Sequence, residues 1–184
     1  MVKPPRPTLT TKHYAAIGHV VVQWAKLENR LISILQCLLD ISKADALVTF
    51  WHAGYYEKRD RLHALFLLDE PDERLKKRFE SLIGRMDTAF EFRNTIAHSV
   101  WQKKRYRTIQ PFQMNVRHGK IKFTGNGIKP ISLSANDILG EAETIKRLFE
   151  DVCQFFLSNY GFDLDVPPAK PNKRRMIARR SGRQ

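Results

Sequence analysis

One apolar stripe limits what this chain can fold into more than any other feature. Ile17, Val20, Val21, Trp24, Leu27, Leu31, Ile34, Leu35 and Leu38 recur at spacings of three and four, which on a helix puts them on one face and predicts a long amphipathic helix from about Thr10 to Asp40. A face that long needs other helices to cover it. The segment with Leu47, Val48, Trp51, Leu62, Leu65, Phe66 and Leu68 is helical but irregular near Gly54, predicting a kinked or broken second helix. "DEPDER" then breaks the chain, and a third helix follows through Leu75, Phe79, Leu82, Ile83, Met86 and Phe90.

Beyond Trp101 the period shortens to alternation around His118-Gly119 and Asn126-Gly127, predicting a small β-hairpin insertion over about 105–133. A last helix starts near Ser134 to Asp137, carries Leu139, Ile145, Leu148, Phe149, Val152 and Phe156, and stops at Gly161. The expected fold is all-α: an antiparallel bundle of about four helices with the hairpin before the last. Residues 1–162 form the bundle domain, and 163–184 form a flexible basic tail, since "VPPAKPNKRRMIARRSGRQ" has three prolines, no acid and little to bury.

Charge narrows the partners. The chain has 32 Lys+Arg against 19 Asp+Glu, a net +13, which draws polyanions such as nucleic acid. The tail from 161 on has seven basic residues and two acids, +5 of that total, so the body is basic as well. No run reads as a signal peptide or a membrane span, so a soluble, cytoplasmic protein without membrane contact is expected. Cys37 and Cys153 sit among leucines and phenylalanines, out of metal-ligand spacing, and read as small core hydrophobes. The histidines outside the motif below, His13, His19, His52, His63 and His118, have no ligand spacing either, and neither a metal nor another cofactor is expected. Trp51, Tyr55 and Tyr56 read as core or interface aromatics.

The polar end of the third helix, "FEFRNTIAHSVWQKKRYR", carries the functional signal. At about 100° per residue, Phe79, Met86, Phe90, Arg93 and Ala97 fall within about 40° of one line, with Asn94 about 60° and His98 about 100° to one side. Arg93 therefore points inward. An inward guanidinium stays charged and needs acceptors. Glu28, about 20° from Leu35 on the first helix's apolar stripe, is the expected partner. Asn94 and His98, at i and i+4, stack beside it and add a titratable group to a fixed cation and an amide. Such a set suits RNA cleavage without a metal: a base for the 2′-hydroxyl, a cation for the pentacovalent phosphate and an acid for the departing 5′-oxygen. After it, Lys103, Lys104, Arg105 and Arg107 with Trp101 and Tyr106 form a strip suited to phosphates and stacked bases, or to a solvated face. Arg117, Lys120 and Lys122 extend it along the hairpin.

"RNTIAH" resembles the Arg-to-His signature of the HEPN superfamily, and "WAKLENRL" is similar to the segment that carries an inward acid in such proteins. The resemblance covers roughly residues 10 to 160 as a pattern, with the six-residue motif its specific part; the hairpin has no counterpart in the standard HEPN elements. It implies an all-helical, metal-independent endoribonuclease of a defence, toxin or RNA-processing system, with Arg93 and His98 as the catalytic pair, Asn94 beside them and Glu28 placing Arg93. One histidine cannot easily make both proton transfers, so a homodimer that brings two copies of Arg93 and His98 together at or near the subunit interface is expected; a protein antitoxin, or a ribonucleoprotein on which the basic tail docks, is the partner kept open. The family includes inactive binding modules, so a non-catalytic nucleic-acid-binding or assembly module is the alternative expectation.

Overall fold

A computed structural model of the chain describes residues 9–103, 109–117, 120–124, 133–162 and 164, with the side chains of residue 100 and of 102–124 excepted. The described residues form five α-helices: α1 (Thr11–Leu39), α2 (Lys43–Phe50), α3 (Tyr55–Asp69), α4 (Glu73–His98) and α5 (Ala135–Tyr160). The all-α expectation holds, with one helix more than the four expected. The irregular second segment is two separate helices, because the chain stops at Phe50 and restarts after Gly54, whose extended backbone (φ −69°, ψ 168°) forms the N-cap of α3. Between α4 and α5 run three short strands, β1 (Val100–Lys103), β2 (Ile109–Arg117) and β3 (Lys120–Thr124), paired antiparallel in that order. The turns expected at His118-Gly119 and Asn126-Gly127 lie outside the described residues, as does the tail from 165 on.

Local chemistry sets the helix ends. Ser42 Oγ accepts the Asp45 N–H at 3.1 Å and starts α2. Ser134 and Asp137 start α5 reciprocally: the Asp137 N–H donates to Ser134 Oγ at 3.2 Å and the Ser134 N–H to the Asp137 carboxylate at 2.7 Å. The backbone bond from Ser134 holds the Asp137 carboxyl below the usual aspartate range. α5 ends at Gly161, whose φ of 66° lets its N–H reach the Leu157 carbonyl at 2.9 Å. α1 ends on Asp40 at φ 53°, a left-handed conformation without glycine.

The chain divides into two compact units, residues 1–25 with 86–147 and residues 26–85 with 148–184. In the second, Leu27, Leu31, Ile34 and Leu35 of α1 are buried, as are Leu62 and Phe66 of α3, Phe79 of α4 and Phe156 of α5. Phe66 stacks on Phe79 at 4.0 Å and meets Phe156 nearly edge-on at 6.2 Å. In the first unit Val20 and Trp24 of α1, Met86 and Ile96 of α4, and Ile138, Ala142 and Ile145 of α5 are buried. The α5 stripe thus begins at Ile138, and the expected Leu139 is exposed because Ile138, Ala142 and Ile145 already complete the three-and-four ladder. Leu47, Trp51, Leu68 and Val48, the last 84% exposed, likewise fall outside the core, which takes Ala46, Phe50 and Tyr55 from that segment. Tyr56 is exposed too, and Cys37 and Cys153 are half-buried, burial raising the pKa of the Cys37 thiol. Among the described residues, no helix is long and apolar enough to cross a membrane.

Two outcomes are expected from the helix ends. Asp40 combines a left-handed backbone, a negative charge at a helix C-terminus and a buried, unpartnered Oδ2. Asp40→Gly is therefore expected to stabilise the protein by about 1 kcal/mol after the added freedom of the unfolded chain is set against it, seen as a melting temperature higher by about 2–4 °C. Because the Asp137 pKa is depressed by folding, its contribution is present above the unfolded value and is lost as pH falls through the folded one. Melting curves of the native protein and Asp137→Asn should therefore draw together as pH falls below about 4.

Candidate active site at the end of α4

Toward its C-terminus α4 passes from a closed apolar face to a polar one. Phe79, Leu82, Ile83 and Met86 are buried, and ten residues later Ile96 is buried again, while Arg93 and Asn94 between them are half-buried and His98 is exposed. Ala97, expected on the inward line, is exposed because Ile96 takes the core position in the last turn.

Arg93 finds acceptors on its own helix. Its Nη1 donates to Asn94 Oδ1 at 2.9 Å and lies 3.3 Å from His98 Nε2. A guanidinium has no lone pair to offer, so each contact fixes its partner. Asn94 turns its amide oxygen to the cation. For this contact to be a hydrogen bond His98 must accept through Nε2, the tautomer with its proton on Nδ1, because a guanidinium only donates. The side chain of Arg93 thus runs along the helix to a residue five positions on and holds a ring nitrogen lone pair beside a permanent positive charge. The Arg93 Nε–H and Ser99 Oγ are buried without a partner. Chemically, the arrangement offers a base next to an unspent set of cationic donors.

Glu28 is held by another cation. Lys58 Nζ donates to its Oε1 at 3.1 Å, with the lysine side chain 5% exposed and the glutamate 28%. Lys58 lies on the first turn of α3 and belongs with Glu28 to the second unit. The helical geometry of α1 correctly marks Glu28 as costly, but it holds no information on which cation a later helix brings. Of the basic strip, Trp101 is half-buried in β1 opposite Pro111, Lys103 ends β1, and Lys104, Arg105, Tyr106 and Arg107 lie outside the described residues.

His13 is the residue that the sequence reading passed over. It is 3% exposed, and its Nδ1 accepts both the Thr10 N–H at 3.3 Å and the Thr10 hydroxyl at 2.8 Å. These bonds place the ring's proton on Nε2, which is buried and has no partner. "TTKH" has the spacing of a capping box with imidazole where a glutamate usually stands, and that spacing is the signal that could have found it. Glu70, also buried, accepts the Asp72 N–H at 2.9 Å and the Tyr160 hydroxyl and so ties the α3–α4 turn to α5 within the second unit. Among the described residues, no three His, Cys, Asp or Glu side chains are grouped to hold a metal ion.

No protein family, curated protein or solved structure matches this chain.

The Glu28–Lys58 pair generates an expectation. Glu28→Ala leaves an ammonium buried without its carboxylate and should cost about 2–3 kcal/mol, less than the most deeply buried pairs because Glu28 is partly in water. Glu28→Leu with Lys58→Met should recover most of it in urea unfolding.

Proposed function

We propose that the chain is a metal-independent endoribonuclease of HEPN type, acting through Arg93, Asn94 and His98. The observation that carries this reading is the 3.3 Å approach of Arg93 Nη1 to His98 Nε2, which leaves a basic nitrogen and a permanent cation side by side. In the proposed reaction Arg93 Nη1 turns from His98 Nε2 to the phosphate, and the freed lone pair of Nε2 takes the proton of a ribose 2′-hydroxyl, whose oxygen attacks the adjacent phosphorus. The free donors of Arg93 bind the oxygens of the pentacovalent phosphate, Asn94 keeps the guanidinium in place, and the bond from phosphorus to the 5′-oxygen breaks. The leaving oxygen takes a proton from a second acid, which a second copy of His98 supplies in a homodimer. The products are a 2′,3′-cyclic phosphate and a 5′-hydroxyl.

The charge of +13 supports an RNA substrate. The residues that follow His98 in sequence, Trp101, Lys103, Lys104, Arg105, Tyr106 and Arg107, add basic and aromatic side chains suited to that substrate. Glu28 acts in this reading on the fold through Lys58. A role in phage defence or a toxin system, with an antitoxin partner, rests on the HEPN resemblance alone, and a ribonucleoprotein partner on the basic composition of the tail. The exposure of His98 on the last turn favours a second reading, a non-catalytic nucleic-acid-binding module that uses the same cation.

The purified protein incubated with mixed RNA in EDTA separates the two. Cleavage to cyclic-phosphate ends is expected, slowed about 100-fold or more in His98→Ala and in Arg93→Ala. RNA that stays intact while the native protein binds it sinks the enzyme and leaves the binding module.

A further inference from the structure

His13 places a second histidine of the same chain at the end of α4. Trp24 and Phe90 meet with ring centroids 5.4 Å apart, which fixes one level of α1 against α4. His13 lies eleven residues earlier on α1, about 16 Å along the axis. It is buried in a unit that contains α4 only from Met86 onward. Were these helix segments parallel, His13 would stand level with Phe79, outside that unit. Running oppositely, they put His13 about 16 Å past Phe90, just beyond the last turn of α4 at His98, where Ser99 follows. Arg93 carries its guanidinium toward that level, since it reaches His98 five residues on.

Three buried polar atoms in this unit lack partners: His13 Nε2, Arg93 Nε and Ser99 Oγ. The first two are obligate donors, because Thr10 occupies His13 Nδ1 and a guanidinium accepts nothing. The third can donate. Buried donors left unmatched define the ligand that satisfies them: a group rich in acceptors and without protons to offer. α1 adds no acid in its first turn to compete for them. A phosphodiester meets these terms, and the negative charge it brings faces Arg93.

We propose that His13 Nε2–H, Arg93 Nε–H and Ser99 Oγ–H bind one phosphate group of the RNA strand, so that His13 is a substrate-binding residue of the site. This rests on the reading of Arg93 and His98 as an RNA-directed site, and it gives a buried histidine with a structural cap on one nitrogen a ligand on the other.

The test uses the full chain labelled with ¹⁵N in its histidine rings and titrated with inorganic phosphate. The His13 Nε2–H signal should move saturably in the native protein and stay still in Arg93→Ala. A second arm measures affinity for an uncleavable RNA carrying 2′-deoxy substitutions. His13→Glu keeps an acceptor for the Thr10 N–H but has no N–H to donate; its melting temperature should hold while affinity falls tenfold or more. His13→Gln, which keeps both an acceptor and a donor, should bind more tightly than His13→Glu. A His13 signal indifferent to phosphate, or His13→Glu binding as tightly as the native protein, overturns the proposal and leaves His13 a helix cap. RNA cleavage with an unmoved His13 signal refutes this inference alone. A phosphate response without cleavage refutes the nuclease and leaves the phosphate site standing.

Discussion

Arg93 cannot give up its charge, and the end of α4 is arranged around that fact. The five N–H groups of a guanidinium must be matched, left in water or left unmatched at a cost. In this chain Nη1 is matched by Asn94 Oδ1 and His98 Nε2, while Nε is buried and unmatched. The match fixes more than the arginine. It orients the Asn94 amide and selects the His98 tautomer, so that one residue sets the hydrogen-bonding state of two neighbours. A base held beside a cation is the outcome, and the proposed chemistry needs both.

Elsewhere ordinary helical physics accounts for the structure. The second unit is held by stacked and edge-on phenylalanines from α3, α4 and α5, and several of its buried charges are paired or hydrogen-bonded, as Lys58 with Glu28 and Glu70 with Tyr160. Such groups need no function to explain them. Arg93 Nε, His13 Nε2 and Ser99 Oγ differ, because they are buried polar atoms that the fold leaves unsatisfied. Asp40 Oδ2 is buried without a partner as well, but it is an acceptor at a helix end; the three unmatched atoms of the first unit can all donate, and that separates the candidate site.

Long-period features were legible in the sequence and contacts between distant segments were not. The stripe from Ile17 to Leu38 gave α1 to within a residue or so at each end, and Gly161 marked the end of α5, because periodicity and a left-handed cap are local properties. Leu139 was misplaced by one position, since Ile138 and Leu139 are equally apolar and the choice depends on which face other helices cover. Arg93, Asn94 and His98 were found together because they share one helix. Lys58 was missed as the cation on Glu28 because thirty positions separate them. His13 was read as scattered since a capping role is visible at spacing three, whereas burial of the opposite ring nitrogen is a tertiary effect.

The most direct measurement of the central claim is the tautomer of His98, read from the ¹⁵N shifts of its ring in the native protein and in Arg93→Ala. If the guanidinium selects the ring state, the native protein shows the proton on Nδ1 with Nε2 as an acceptor, and the variant loses that preference. The same tautomer mixture in both proteins would contradict the account, since Arg93 would then hold no lone pair in place for catalysis.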